Sequence, residues 1–344
     1  MRVATILTLL GATIVTAYGD TIILIRPANA LLSKQHDGRF VVQVGNKYGY
    51  VDRSGVLVIH PQFDVAHGFR EGLAAVQIGD KWGFIDLQGN LVVPSEYDSV
   101  EDYSEGRAVV WLDEQCHYID RSGRIAIAMP NKRITCGSFS EGLARIRYYF
   151  DHPEGKWEDY IDTDGRVAIL QRPQEATVFS EGLAQFRHEG RAGFINKNGE
   201  IVFSFEFFNA RAFSEGLVAI EVDSENWGFA DRTGKMVIGP RFAEVFDFRE
   251  GLAAVKLGEK WGFIERTGGF AISPQFEDTS AFSEGLAPVQ VGDRWGYIDR
   301  NGQMVIAPSF DLAGEFSEGR AAVELNKKVG YIDKTGVFVW APSS

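Results

Sequence analysis

The chain has 344 residues, 45% of them hydrophobic and 24% charged, and its formal net charge is −12. This is the composition of a folded globular protein rather than a disordered one. No cluster of Lys and Arg breaks the acidic balance, which excludes nucleic acid or an anionic membrane surface as the main partner.

The first 30 residues differ from the rest. Arg2 precedes an apolar run from Val3 to Ala17, and small-x-small patterns follow at Ala17-Tyr18-Gly19 and Ala28-Asn29-Ala30. Residues 1–30 therefore read as a secretory signal peptide with cleavage expected after Gly19 or Ala30. The alternative is an uncleaved anchor helix, although Asp20 ends the apolar run at the short limit for a membrane span. Cleavage leaves no membrane-inserted segment, so the protein is expected in the periplasm, at the cell surface or secreted.

From residue 37 to 342 one element recurs. It reads YGYVD at 48–52, WGFID at 82–86, CHYID at 116–120, EDYID at 158–162 and AGFIN at 192–196. WGFAD at 227–231, WGFIE at 261–265, WGYID at 295–299 and VGYID at 329–333 complete nine copies. Their central residues step by 34, 34, 42, 34, 35, 34, 34 and 34, which marks a single tandem-repeat domain. The third and fourth units, about 106–165, lack Trp-Gly and are irregular.

Within a unit, an aromatic-x-Glu-Gly turn leads into an alternating run such as LAAV, expected to be a strand. Gly-Asp or Gly-Glu then makes a hairpin turn into the Trp-Gly strand. Trp82 and Gly83, Trp227 and Gly228, Trp261 and Gly262, and Trp295 and Gly296 hold this register. Such regularity assigns the tryptophans to packing, and a strand glycine to close approach by another group. An Asp-x-x-Gly turn and a third short strand ending at Pro follow. Each unit is thus a three-stranded antiparallel meander, with room for a fourth short strand in the connector. One unit cannot offset its own backbone ordering, at about 1–2 kcal/mol per residue, and must pack on its neighbours.

The quoted EGLAAV, GDKWGFID and Pro-x-Phe elements resemble the bacterial WG-repeat (KWG-type β-repeat) family over about residues 37–342. The resemblance implies an all-β repeat protein without catalytic residues, of a kind often found in surface or stress-related proteins. Because propellers typically have 4–8 blades of four strands, the expected architecture is an open β-superhelix of nine stacked meanders. A closed propeller-like toroid is the alternative.

No residue set has the spacing of a catalytic site, a metal site or a cofactor motif. The eight glutamates of the aromatic-x-Glu-Gly turns are expected to be solvated turn residues, paired with the Lys or Arg before Trp. Cys116 and Cys136 are the only cysteines and are candidates for a disulfide if the protein is exported. The step of 42 places an insertion in the hairpin at 147–160, where Tyr149, Phe150, His152 and Trp157 are the candidate partner-binding residues. The function expected is that of an exported, non-catalytic β-repeat protein offering a surface to a protein partner. The alternative is an envelope polysaccharide binder using exposed aromatics.

Overall fold

The computed structural model describes residues 37–149, 156–170, 175–188, 191–204 and 206–341. It also gives three short strands, Ile6–Leu9, Ala12–Ala17 and Asp20–Leu24, paired with one another. Among the described residues no helix is long and apolar enough to cross a membrane. In residues 65–97 the strand order is Val65–Ala66, Leu73–Ile78, Lys81–Asp86 and Leu91–Tyr97, each antiparallel to the next. The connector therefore does hold a fourth strand, two residues long. This order recurs over 99–128, 134–169, 175–204, 209–242, 244–276, 278–310 and 312–340. Ahead of them, Arg39–Val44, Lys47–Asp52 and Leu57–Phe63 form a three-stranded sheet. We number these nine sheets as blades 1 to 9.

The blades close into a ring, a nine-bladed β-propeller, and not into the open superhelix expected from the sequence. The seam between blades 9 and 1 overturns that expectation. There the Glu318 carboxylate accepts the Gly38 N–H at 2.7 Å and pairs with Arg53 at 2.8 Å. The Tyr331 hydroxyl donates to the Val41 carbonyl at 2.9 Å. Phe40, Val42, Val51, Ala322 and Tyr331 form one buried cluster across the seam. The physical reason lies in the unit length. Because the first strand needs two residues, a 34-residue period holds four strands, and the offset between the first and last units lets the ends meet.

The short first strands and the turns beside them line the axis. Arg249 of blade 7 reaches Glu315 of blade 9 at 3.4 Å, skipping blade 8, as only residues facing a shared channel can. The last strand of each blade is outermost, and in Leu91–Tyr97 the buried positions are Val93 and Tyr97. The core lies between blades, in clusters that each draw on two neighbours.

Local chemistry accounts for each element. The Asp52 carboxylate accepts the N–H groups of Ser54 and Val56, fixing the Asp-x-x-Gly turn. The Ser54 hydroxyl, donating to the same oxygen, is the main reason Asp52 lies below the usual carboxylate range. Gly83 has a steric role. A Cβ there would stand 2.5 Å from the Val93 carbonyl oxygen and 2.8 Å from the Ser95 nitrogen. The outer strand bulges across this glycine, so that Tyr97 returns opposite Trp82. His117 and Asp159 take the glycine position in blades 3 and 4, and there the outer strands shrink to Ile125–Ala128 and Val167–Ile169.

Replacing Gly83 by Ala is expected to destabilise the protein by about 1–3 kcal/mol, the usual range for overpacking. A thermal unfolding midpoint equal to that of the unaltered protein would show that the bulge does not need the glycine.

Candidate functional site

Every joint between blades uses the same two contacts. The Phe or Tyr of the Trp-Gly strand meets the aromatic of the next blade's Glu-Gly turn, as in Tyr50 and Phe69, Phe84 and Tyr103, or Phe263 and Phe282, each at 4.8 Å between centroids. At the seam Tyr331 meets Phe40 at 5.2 Å instead. The second contact is a carboxylate clasp. Glu71 accepts the N–H groups of Glu105 and Gly106 in the next blade at 2.7 and 3.0 Å. Glu105, Glu141, Glu181, Glu215, Glu250 and Glu284 repeat it on Gly142, Gly182, Gly216, Gly251, Gly285 and Gly319. Glu318 and Asp37 carry it through the seam to Gly72.

These glutamates lie in turns as expected from the sequence, and Glu71, Glu105 and Glu284 are exposed, but their carboxylates are held by the next blade and not by the expected cations. The Lys and Arg before Trp pair elsewhere, Lys81 with Asp98 and Lys260 with Glu277. The clasps take their cations from the next blade, as Glu71 does from Arg121 and Glu284 from Lys334.

Trp261 and Trp295 are 5% and 9% exposed, and Trp82 and Trp227 are half-buried, so the repeat tryptophans serve packing between blades. The Trp position holds the other apolar or aromatic residues Tyr48, Ala192 and Val329 in blades 1, 5 and 9, and in two further units it carries different chemistry. Cys116 stands there in blade 3 and is disulfide-bonded to Cys136 at the first strand of blade 4, with a Cα–Cα distance of 6.0 Å. Glu158 stands there in blade 4 and is wholly buried. Its carboxylate accepts from Arg147 Nε at 2.6 Å, lies 3.6 Å from Arg145, and accepts the Ala176 N–H of blade 5. Burial alone lowers the Arg147 pKa, but its hydrogen bonds to Tyr149 and Glu158 outweigh that and raise it.

Blades 4 to 6 also differ at the surface. The inserted hairpin runs to Tyr149, which is 38% exposed and pairs in register with Lys156. Trp157 is half-buried opposite Tyr148. Phe150 and His152 lie outside the described residues. The most exposed large hydrophobics among the described residues are Phe208, at 64%, and Leu170, at 63%. Sequence reasoning missed both. Phe208 occupies the position of Asp64, Asp98, Glu277 and Asp311, acids that hold the Lys or Arg before Trp. Aligning the connectors residue by residue exposes that substitution.

A cavity of about 310 Å³ opens beside Phe208, whose carbonyl accepts from Arg187, and is lined by Arg145, Arg147, Glu175, Gln185, Arg187 and Asn209 among others. A second, of about 390 Å³, lies on the channel wall where Asp102 holds His67 at 2.9 Å and Arg70 at 3.1 Å. Glu101 lines the same cavity, and burial raises its pKa. Among the described residues no group of three His, Cys, Asp or Glu side chains has the geometry to hold a metal ion.

The family model described as "WG containing repeat" matches residues 48–82, 82–114, 193–225, 227–261, 261–295 and 295–328, more than half of the chain. No curated protein matches the sequence. Among solved structures, one titled "Crystal structure of the eukaryotic initiation factor" is similar at 12% identity and a TM-score of 0.60, over 89% of this chain and 95% of that one. BamB from Moraxella catarrhalis aligns at 10% identity and a TM-score of 0.44, over 89% of this chain and 94% of that one. The first likeness is one of fold.

Changing the wholly buried Glu158 to Gln leaves two half-buried arginines without their carboxylate and is expected to lower stability by about 3 kcal/mol. Reducing the disulfide, whose cysteines are 20 residues apart, is expected to remove about 3 kcal/mol. Urea unfolding measures both. Midpoints unmoved by either change would show that these substitutes for Trp do not hold blades 3, 4 and 5 together.

Proposed function

Taking as premise that the chain belongs to the WG-repeat family, we propose that it is an exported, non-catalytic propeller that docks a protein partner on the face of blades 4 to 6. The observation that carries this reading is Phe208. A position that serves the fold with a carboxylate at four other joints, and is Ala243 at a fifth, here presents an aromatic ring to solvent. Leu170 shares its exposure. Buried aromatic anchors dominate the energy of protein interfaces, whereas an exposed ring contributes nothing to the fold it sits on.

Export is supported by the apolar leader at the N-terminus and by the Cys116–Cys136 bridge, since disulfides persist in oxidising compartments. The alternative of polysaccharide binding by the repeat tryptophans draws no support from rings committed to packing between blades.

The test is affinity capture from envelope extract with residues 31–344 as bait, beside the double variant Leu170→Asp, Phe208→Asp. The proposal predicts a protein retained by the unaltered bait and about tenfold or more depleted on the variant, with equal thermal unfolding midpoints. Equal retention on both baits would contradict it. So would sedimentation of both baits with cell-wall polysaccharide and no retained protein.

A further inference from the structure

We infer that the arginine-lined cavity in the wall of blades 4 to 6 is a carboxylate-binding site that receives an acidic residue of the docked partner. This inference rests on the protein-docking reading above. The cavity, of about 310 Å³, brings together Arg145 and Arg147 of blade 4, Arg187 and Gln185 of blade 5, and Asn209 of blade 6. The repeat does not require cations here. The position of Arg145 is Val41, Ala75, Val109, Gln185, Ala219, Ala254, Pro288 and Ala322 in the other blades. The position of Arg147 and Arg187 is Gln43, Gln77, Trp111, Glu221, Gln290 and Glu324 in blades 1, 2, 3, 6, 8 and 9, and a cation, Lys256 paired with Glu244, only in blade 7.

The chemistry already present selects the ligand. Arg147 and Arg145 hold the wholly buried Glu158, Arg145 also feels the charge of Glu101, and Arg187 faces the exposed Glu175. Glu158 shows that guanidinium groups of this cluster already hold a carboxylate, with Arg147 Nε at 2.6 Å. Glu175 is a loose partner for Arg187, 3.8 Å away and 59% exposed, so an incoming carboxylate displaces little.

Donors remain to receive the carboxylate. Arg145 commits Nη1 to the Ala176 carbonyl and Arg187 commits Nη2 to the Phe208 carbonyl, while each guanidinium carries five N–H groups. The side-chain amides of Gln185 and Asn209 add neutral donors. Arg187 also ties the cavity to the exposed ring, because it holds the backbone of Phe208 itself. The partner's acidic residue is therefore expected beside an apolar one.

The test uses the whole chain and three probes: N-acetyl-Leu-Glu-Phe-amide, its Gln counterpart, and inorganic phosphate. Binding is followed by NMR of the Gln185 and Asn209 side-chain amides. The Glu peptide is expected to bind about tenfold more tightly than the Gln peptide, the scale of a charge-assisted hydrogen bond. Arg187→Gln, which leaves the buried Glu158 cluster intact, is expected to abolish that preference without moving the unfolding midpoint. Equal affinities for the two peptides would overturn the inference, as would phosphate binding more tightly than the Glu peptide. Should the peptides bind equally while Leu170→Asp, Phe208→Asp still abolishes capture, the docking reading stands and only the carboxylate site falls.

Discussion

Glu71 and its seven equivalents have φ between 52° and 54°, a left-handed conformation that a side chain with a Cβ adopts only at a cost of about 1–2 kcal/mol. The same strain recurs in blade after blade because it aims a carboxylate at the next blade's Glu-Gly turn. There the carboxylate accepts backbone N–H groups that the turn leaves without a strand partner. Hydrogen bonds to a charged acceptor contribute about 1.5–3 kcal/mol each, enough to offset the backbone. Asp37 provides the link at the first blade and Glu318 closes onto Gly38, so the series has no end. Closure follows from this relation, since each blade sets the orientation of the next by a contact only a few ångströms long.

The Trp-Gly pair supplies the second half of the joint. Its glycine lets the outer strand bulge, and its tryptophan fills the space toward the following blade. Blades 3 and 4 lack the pair yet keep their places. A disulfide to Cys136 stands in for one tryptophan and a buried Glu158 with two arginines for the other. Hydrophobic packing, a covalent bond and an ion pair thus fill one position. The last two are more demanding, because a disulfide needs an oxidising environment and a buried ion pair needs every partner. The individuality of the molecule gathers in the same stretch of chain, where Leu170 faces solvent and Phe208 does so beside the arginine cavity.

Much of this was legible in the sequence. The repeat period, the strand pairs, the Asp-x-x-Gly caps and the close approach at Gly83 are local, and local spacing records them. Closure was not, because it depends on pairs such as Gly38 with Glu318, 280 residues apart, whose meeting no periodicity specifies. The glutamate was visible as a repeated residue, but its acceptor role was not, since its partners are backbone groups one blade away. The length change at 147–160 drew attention to Tyr149 and Trp157. The substitution at Phe208 changes no length, and the arginines are divided between two units, so neither stood out.

The central claim is that blade 9 meets blade 1 as blade 8 meets blade 9. Spin labels at Val337→Cys and Val56→Cys, exposed positions outside the clasp, span the seam, and labels at Gln303→Cys and Val337→Cys span the equivalent joint between blades 8 and 9. Pulsed electron–electron resonance on each pair, with the native disulfide intact, compares the two separations directly. A closed ring predicts the same distance for both pairs. A seam distance well beyond that of the internal joint would contradict it and restore an open array.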